Sequence, residues 1–302
     1  MRPTLLVTGS SGLLGRAIAE DLETYFVCRH AASSAPASGE SYLAVDLTEK
    51  GSVNDLVKRC RPDVILHLAA LADVDACEAD PTRAYRLNVD ATRNLVSAAG
   101  DAKIIYVSSD HVYDGAGANR EADVRPTNVY ALTKLWGEDI ALSANAAALR
   151  LNFFCLGTEK KEGFAGWLTR SFRSKQPLRL FGDVFFNPIY AGFLPGILAR
   201  VVERWQRGTF NVGYHGPGVS KAEFAMRLAA RLGLSTETCV VASVGDAQLK
   251  TYRPRGMAMN VEFFEHAFGM RLPTLDRCLD SFCDDWRAWN DSDLLRLSDD
   301  PR

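Results

Sequence analysis

Three glycines, at positions 9, 12 and 15, constrain this chain more than any other feature. They follow a short apolar run, Thr4-Leu5-Leu6-Val7-Thr8, and lead into an amphipathic stretch over residues 16–23. Strand, glycine turn, helix is the order that aims a helix N-terminus, with its free N–H groups, at a phosphate. Gly9 permits the tight turn, Gly12 lets the backbone approach a pyrophosphate, and Gly15 lets the helix pack close to the strand. Ser11, Leu13 and Leu14 complete this loop as candidate cofactor contacts. Alone, the triplet could be a plain turn. Here the alternation goes on, with short apolar runs at 25–28, 42–45, 63–67 and 103–107 and helical stretches at 52–60 and 81–99. That pattern predicts an α/β fold, a Rossmann-type doubly wound parallel sheet. Ligands of such sheets sit beyond the carboxyl ends of the strands. Asp46 and Leu47, the run Leu68-Ala69-Ala70, and the run Val107-Ser108-Ser109-Asp110 all fall at such ends.

The second strand, read as residues 25–28, ends at Arg29-His30 with no acid beside it. An acid there serves the ribose hydroxyls of NAD, and an arginine suits the phosphorylated cofactor. Arg29 therefore points to NADP(H), with NAD(H) as the alternative. Residues 31–41, AASSAPASGES, read as a mobile small-residue loop.

Tyr130 and Lys134 lie four residues apart, one turn apart on one helix face, with Asn128 as a good N-cap and Pro126 just before it. An unperturbed Tyr titrates near ~10. A lysine cation beside it is expected to lower that value and make the phenol a working proton donor to a carbonyl oxygen. Ser109 is placed to hydrogen-bond the same carbonyl.

A net charge of −2 gives no electrostatic reason to expect nucleic acid or an acidic membrane as partner. No run approaches the ~18–20 apolar residues of a membrane span. Seven scattered cysteines without a C-x-x-C read as reduced thiols in a cytoplasmic protein. Five histidines without an H-x-x-x-H offer no metal site.

Beyond residue 151 the alternation loosens. Helical stretches are read at 163–175, 194–207, 220–231, 263–268 and 275–289, and the charged tail, 291–302, as frayed. The domain reading is 1–152 for the cofactor, joined by part of 184–212, with 153–302 as a smaller, mostly helical substrate-binding lobe. Arg253 and Arg255 are candidates for a nucleotide diphosphate, because guanidinium forks suit phosphate. The aromatics of 163–175 read first as core, with Trp167 a candidate for the sugar pocket.

Five stretches together resemble the extended short-chain dehydrogenase/reductase superfamily, and within it the dTDP-4-dehydrorhamnose reductase family. They are TGSSGLLG from Thr8, RPDVILHLAA from Arg61, YRLNV from Tyr85, SSDHVYDG from Ser108 and PTNVYALTK from Pro126. Weaker echoes, FGDVFFNPIYA, FNVG, RPR and FGMRLP, continue to Pro273. The resemblance implies that Ser109, Tyr130 and Lys134 are the catalytic triad and that Asn88 supports the lysine through water. It also implies that Asp46 lies near the adenine, that Ala69 forms the wall beside the cofactor, and that Asp110 contacts substrate. The implied reaction is NADPH-dependent reduction of the 4-keto group of a nucleotide-linked deoxysugar. A nucleotide-sugar epimerase or dehydratase, and a non-catalytic cofactor-binding regulatory subunit, are the competing readings. A homodimer is compatible with the resemblance. Three positions depart from it: Ala131 after the tyrosine, Phe193 where an Asp is usual, and Asn152-Phe153 where a Trp is common.

Overall fold

The computed structural model describes residues 2–33, 42–157 and 162–298. Strand β1 (Thr4–Thr8) leads into helix α1 (Leu13–Leu22), then β2 (Val27–Ala32), β3 (Tyr42–Ala44), α2 (Lys50–Cys60) and β4 (Val64–His67). Next come α3 (Val74–Ala79), α4 (Pro81–Tyr85), a π turn (Arg86–Asp90), α5 (Ala91–Ala98), β5 (Lys103–Ser109), α6 (Val129–Leu142) and β6 (Ala146–Leu151). The first half closes with β7 (Phe153–Phe154). The second contains α7 (Phe164–Arg173), β8 (Leu178–Phe181), β9 (Phe185–Phe186), β10 (Ile189–Tyr190), α8 (Leu194–Glu203) and β11 (Gly208–Val212). It ends with β12 (Val219–Ser220), α9 (Lys221–Leu232), β13 (Cys239–Ala242), α10 (Glu262–Phe268) and α11 (Leu275–Ser298).

Seven parallel strands form the central sheet in the order β11-β6-β5-β4-β1-β2-β3. Successive side chains of a strand point to opposite faces, and the apolar clusters follow that rule. Leu5, Val7, Leu66, Ile105 and Leu149 pack on one face with α1 and α8, while Leu6, Ile65, Ile104 and Ala148 pack on the other with α2 and α5. Strand order reverses between β1 and β4, so a crevice opens there, beyond Thr8 and His67. The cluster on the α1 face runs on without a break into Phe154, Phe172, Phe186, Phe224 and Phe282 of the second half. No helix among the described residues is long and apolar enough to cross a membrane.

Three elements differ from the sequence reading in ways that matter for the site. β2 runs to Ala32, not Cys28: residues 23–26 form the turn, and Ala31 pairs with Thr8 inside the sheet. Small alanines suit the end of this strand, where residues 30–32 are all buried. The single helix read over 81–99 is broken by the π turn that carries Asn88. Such turns are rare and recur at functional sites. Helix α11 continues through Ser298, where a frayed tail was expected from 291. Most of the small-residue loop, residues 34–41, lies outside the described residues.

Candidate active site

The loop after β1 is built by its glycines. Gly9 has φ +71°, and a Cβ there would meet Ala69 N at 2.5 Å. Only glycine lets this loop pass so close to the end of β4. Gly15 allows α1 to lie against the loop, since its Cβ would come within 2.6 Å of Ser10 Cα. Gly12 is different: a Cβ there would touch only Gly9 O, at 3.0 Å. Gly12 N donates to that same oxygen at 2.8 Å, and no side chain caps the start of α1.

Two joined cavities lie along this loop. The smaller, about 280 Å³, is bounded by Gly9, Ser11, Gly12, Asp46, Leu47 and Ala69, with Ala31, Ala32 and Ser33 from the end of β2. The larger, about 740 Å³, passes Leu13 and Leu14 and reaches Val107, Ser108, Ser109, Asp110, Tyr130 and Lys134. Gly9, Gly12, Leu68 and Ala70 belong to both. Ser108 Oγ is buried without a hydrogen-bond partner. An uncapped helix start, a glycine cradle and an orphaned hydroxyl along one trough suit a dinucleotide, with the phosphates at Gly12. Asp46 holds Thr48 through its backbone N–H at 2.9 Å and its hydroxyl at 2.8 Å, and these bonds keep its carboxyl below the usual range. Gly12→Val asks the Gly9 carbonyl to give by a few tenths of an ångström, and in the folded variant, checked by circular dichroism, it is expected to weaken dinucleotide binding by ~10–100-fold, the equivalent of one charge-assisted bond lost. Fluorescence titration of the reduced cofactor reads it, and wild-type affinity would reduce the loop to a turn.

At the other end of the trough, Asn128 caps α6 by accepting from Ala131 N at 2.9 Å. This fixes the helix start and turns Tyr130 and Lys134 into the larger cavity. Tyr130 faces Ser109 across the cavity, and its ring meets His111 edge-on at 5.6 Å. Burial pushes the phenol up to about 12, with Ser109 opposing. The expected lowering by Lys134 does not occur. Lys134 is itself pulled down to about 7 by burial, opposed by Glu138 and Cys77, and its ammonium sits 4.2 Å over the Tyr106 ring. Desolvation outweighs the pair's attraction here. The phenol therefore keeps its proton at neutral pH, the form a proton donor needs.

Five expected contacts have other partners within the protein. Arg29 lies opposite Leu6, three residues before the end of β2, exposed and donating to Cys28 O at 3.1 Å, and its charge opposes the burial that raises the thiol pKa of Cys60 at the far end of α2. It does not border either cavity. Asn88 does not reach Lys134. Its amide donates to Leu71 O and Thr133 Oγ1 at 3.1 and 2.9 Å and accepts from Leu71 N at 2.7 Å, tying the loop after β4 to α6. Trp167 stacks on Phe164 at 6.0 Å and packs against the core. Arg255 pairs with Asp183, and Arg253 pairs with Asp75 at 3.0 Å.

The structure adds residues the sequence reading passed over. Asn152 donates to Asp110 at 2.7 Å. Lys221, at the start of α9, is a half-buried cation whose charge acts on both Asp110 and His111. His111 also has a buried, unpartnered Nδ1. Nothing in the sequence links Lys221 to Asp110, since only tertiary packing brings them together.

The family model described as RmlD substrate binding domain matches residues 1–288. The chain belongs to the RmlD family. A dTDP-4-dehydrorhamnose reductase of Aggregatibacter actinomycetemcomitans is 27% identical over 91% of this RmlD-family chain and 96% of its own length. Methionine adenosyltransferase 2 subunit beta of Pongo abelii is 38% identical, over 52% of this chain and 49% of its own. Among solved structures, the dTDP-4-dehydrorhamnose reductase of Bacillus anthracis in complex with NADP superposes with a TM-score of 0.85 at 21% identity, covering 94% of this chain and 100% of that one.

Proposed function

We propose that this protein is an NADPH-dependent reductase of the 4-keto group of a nucleotide-linked deoxysugar, like the dTDP-4-dehydrorhamnose reductase relative that aligns along nearly its whole length. The observation that carries the reading is one cavity bordered at one end by the Gly9–Gly12 loop and at the other by Ser109, Tyr130 and Lys134. Gly9, Gly12, Asp46, Ala69 and Ser108 would hold the cofactor, which supplies the hydride when bound. Tyr130 gives its proton to the carbonyl oxygen as that oxygen gains charge. Ser109 orients the same oxygen, and Lys134, when charged, favours the phenolate left behind. NADPH over NADH is supported by the described end of β2, where Ala31, Ala32 and Ser33 present no carboxylate against a 2′-phosphate, and by the NADP-bound structural neighbour. We assign residues 1–152 with part of 184–212 to cofactor binding and 153–302 to the sugar nucleotide. Seven free cysteines support a cytoplasmic setting.

The protein, mixed with NADPH and a panel of nucleotide-linked 4-keto-6-deoxysugars, is expected to consume the reduced cofactor with at least one of them, followed by its absorbance. Tight NADPH binding with no consumption across the panel would overturn the reading in favour of a regulatory subunit, a competing reading motivated by the match to a methionine adenosyltransferase subunit over about half of each chain.

A further inference from the structure

Asp110 stands in the wall of the larger cavity, 1% exposed. Its Oδ1 accepts from Ser109 Oγ at 3.3 Å and its Oδ2 from Asn152 Nδ2 at 2.7 Å. Among the described residues it has no ion-pair partner. The groups around it are Lys221 at the start of α9, Tyr130 on α6, His111 beside it, and Arg253 with its partner Asp75. Of these, the Lys221 charge favours the carboxylate. Burial outweighs it and raises the carboxyl to about 6.

A serine hydroxyl has one proton and two lone pairs. One lone pair of Ser109 is taken by His111 N–H at 3.2 Å. If Asp110 is a carboxylate, it takes the Ser109 proton. The proton that Ser109 would offer a substrate carbonyl is then turned away from it. If Asp110 is a neutral acid, its own O–H fills the remaining lone pair. The Ser109 proton is then free to face the substrate, while the other carboxyl oxygen still accepts from Asn152.

Building on the reductase reading above, we propose that Asp110 is a positioning residue that works as a neutral carboxylic acid, donating to Ser109 Oγ and so directing the Ser109 proton to the substrate carbonyl.

Asp110→Asn tests this, because the amide keeps the shape and donates permanently to Ser109 while accepting from Asn152. Turnover at saturating NADPH and sugar is measured from about pH 5.5 to 8.5 for wild type, Asp110→Asn and Asp110→Ala. Wild-type turnover should fall as pH rises past the Asp110 titration, by up to ~tenfold per unit. Asp110→Asn should stay within ~threefold of wild type at the acid end and exceed it at the alkaline end, while Asp110→Ala loses ~tenfold or more throughout. The Lys134 titration is common to all three forms and cancels in the comparison. An Asp110→Asn protein that is inactive at every pH, or that keeps the wild-type falling limb, overturns the proposal. Infrared difference spectroscopy gives a readout without turnover: a carboxylic C=O band that titrates near the Asp110 value in wild type and is missing in Asp110→Asn. Failure of all forms to turn over any sugar would refute the reductase reading alone. The infrared band would then still decide whether Asp110 is a neutral acid, and its absence would overturn that point.

Discussion

Tyr130→Phe is expected to cut turnover by ~10²–10⁴-fold, the usual cost of losing a positioned proton donor. The ring is half-buried and packs edge-on against His111 at 5.6 Å, so phenylalanine keeps the packing and removes only the hydroxyl. With the phenol pushed up to about 12, it is protonated throughout the ordinary assay range, and the loss should not vary with pH on its account. If the interaction is made only in the transition state, kcat and kcat/KM fall together and KM stays put. NADPH affinity should change little, because the glycine loop carries the phosphate contacts. A Phe variant as active as wild type would show that the proton comes from elsewhere, and Ser109 would be the next group to remove.

What could be read in the sequence was local. The β1 bounds and the Asn128 cap follow from neighbouring residues and appear as expected. The glycine loop was legible for the same reason: its geometry is fixed by three glycines within seven positions. Arg29 failed because the end of a parallel strand is set by its partner. Pairing with β1 carries β2 on to Ala31, opposite Thr8, and leaves Arg29 two rows short of the crevice. The Tyr130 and Lys134 shifts came out opposite to the pairwise expectation for Tyr130 because burial is a property of the folded whole. The π turn at Asn88 was hidden inside an ordinary helical pattern, and it points that side chain at Leu71 instead of Lys134. Asp110 was visible as a neighbour of Ser109. Its desolvation and its Asn152 and Lys221 surroundings were not.

Arg150→Met is expected to destabilise the fold by ~3–5 kcal/mol, the cost of stranding a buried charge. Arg150 on β6 and Glu138 on α6 are 5% and 2% exposed and pair through two nitrogens, at 3.0 and 2.6 Å. Arg150 also donates to Tyr113 at 2.8 Å and to Glu121 O at 2.6 Å, and Tyr113 passes the chain on to Asn211 of β11 at 2.7 Å. Methionine fills the space but leaves Glu138 charged with no partner at that site. The urea midpoint should fall accordingly, and Glu138→Leu combined with Arg150→Met should recover much of it, since two well-packed apolar residues escape the desolvation penalty. The double variant carries a second signature. The Glu138 carboxylate is the largest influence opposing the burial that pulls Lys134 down to about 7. Without it the lysine loses its proton at lower pH. The part of the rate profile that needs charged Lys134 should then move towards acid, although the fold is restored. A double variant with wild-type stability and an unmoved profile would separate this ion pair from the chemistry and leave it a purely structural tie between β6 and α6.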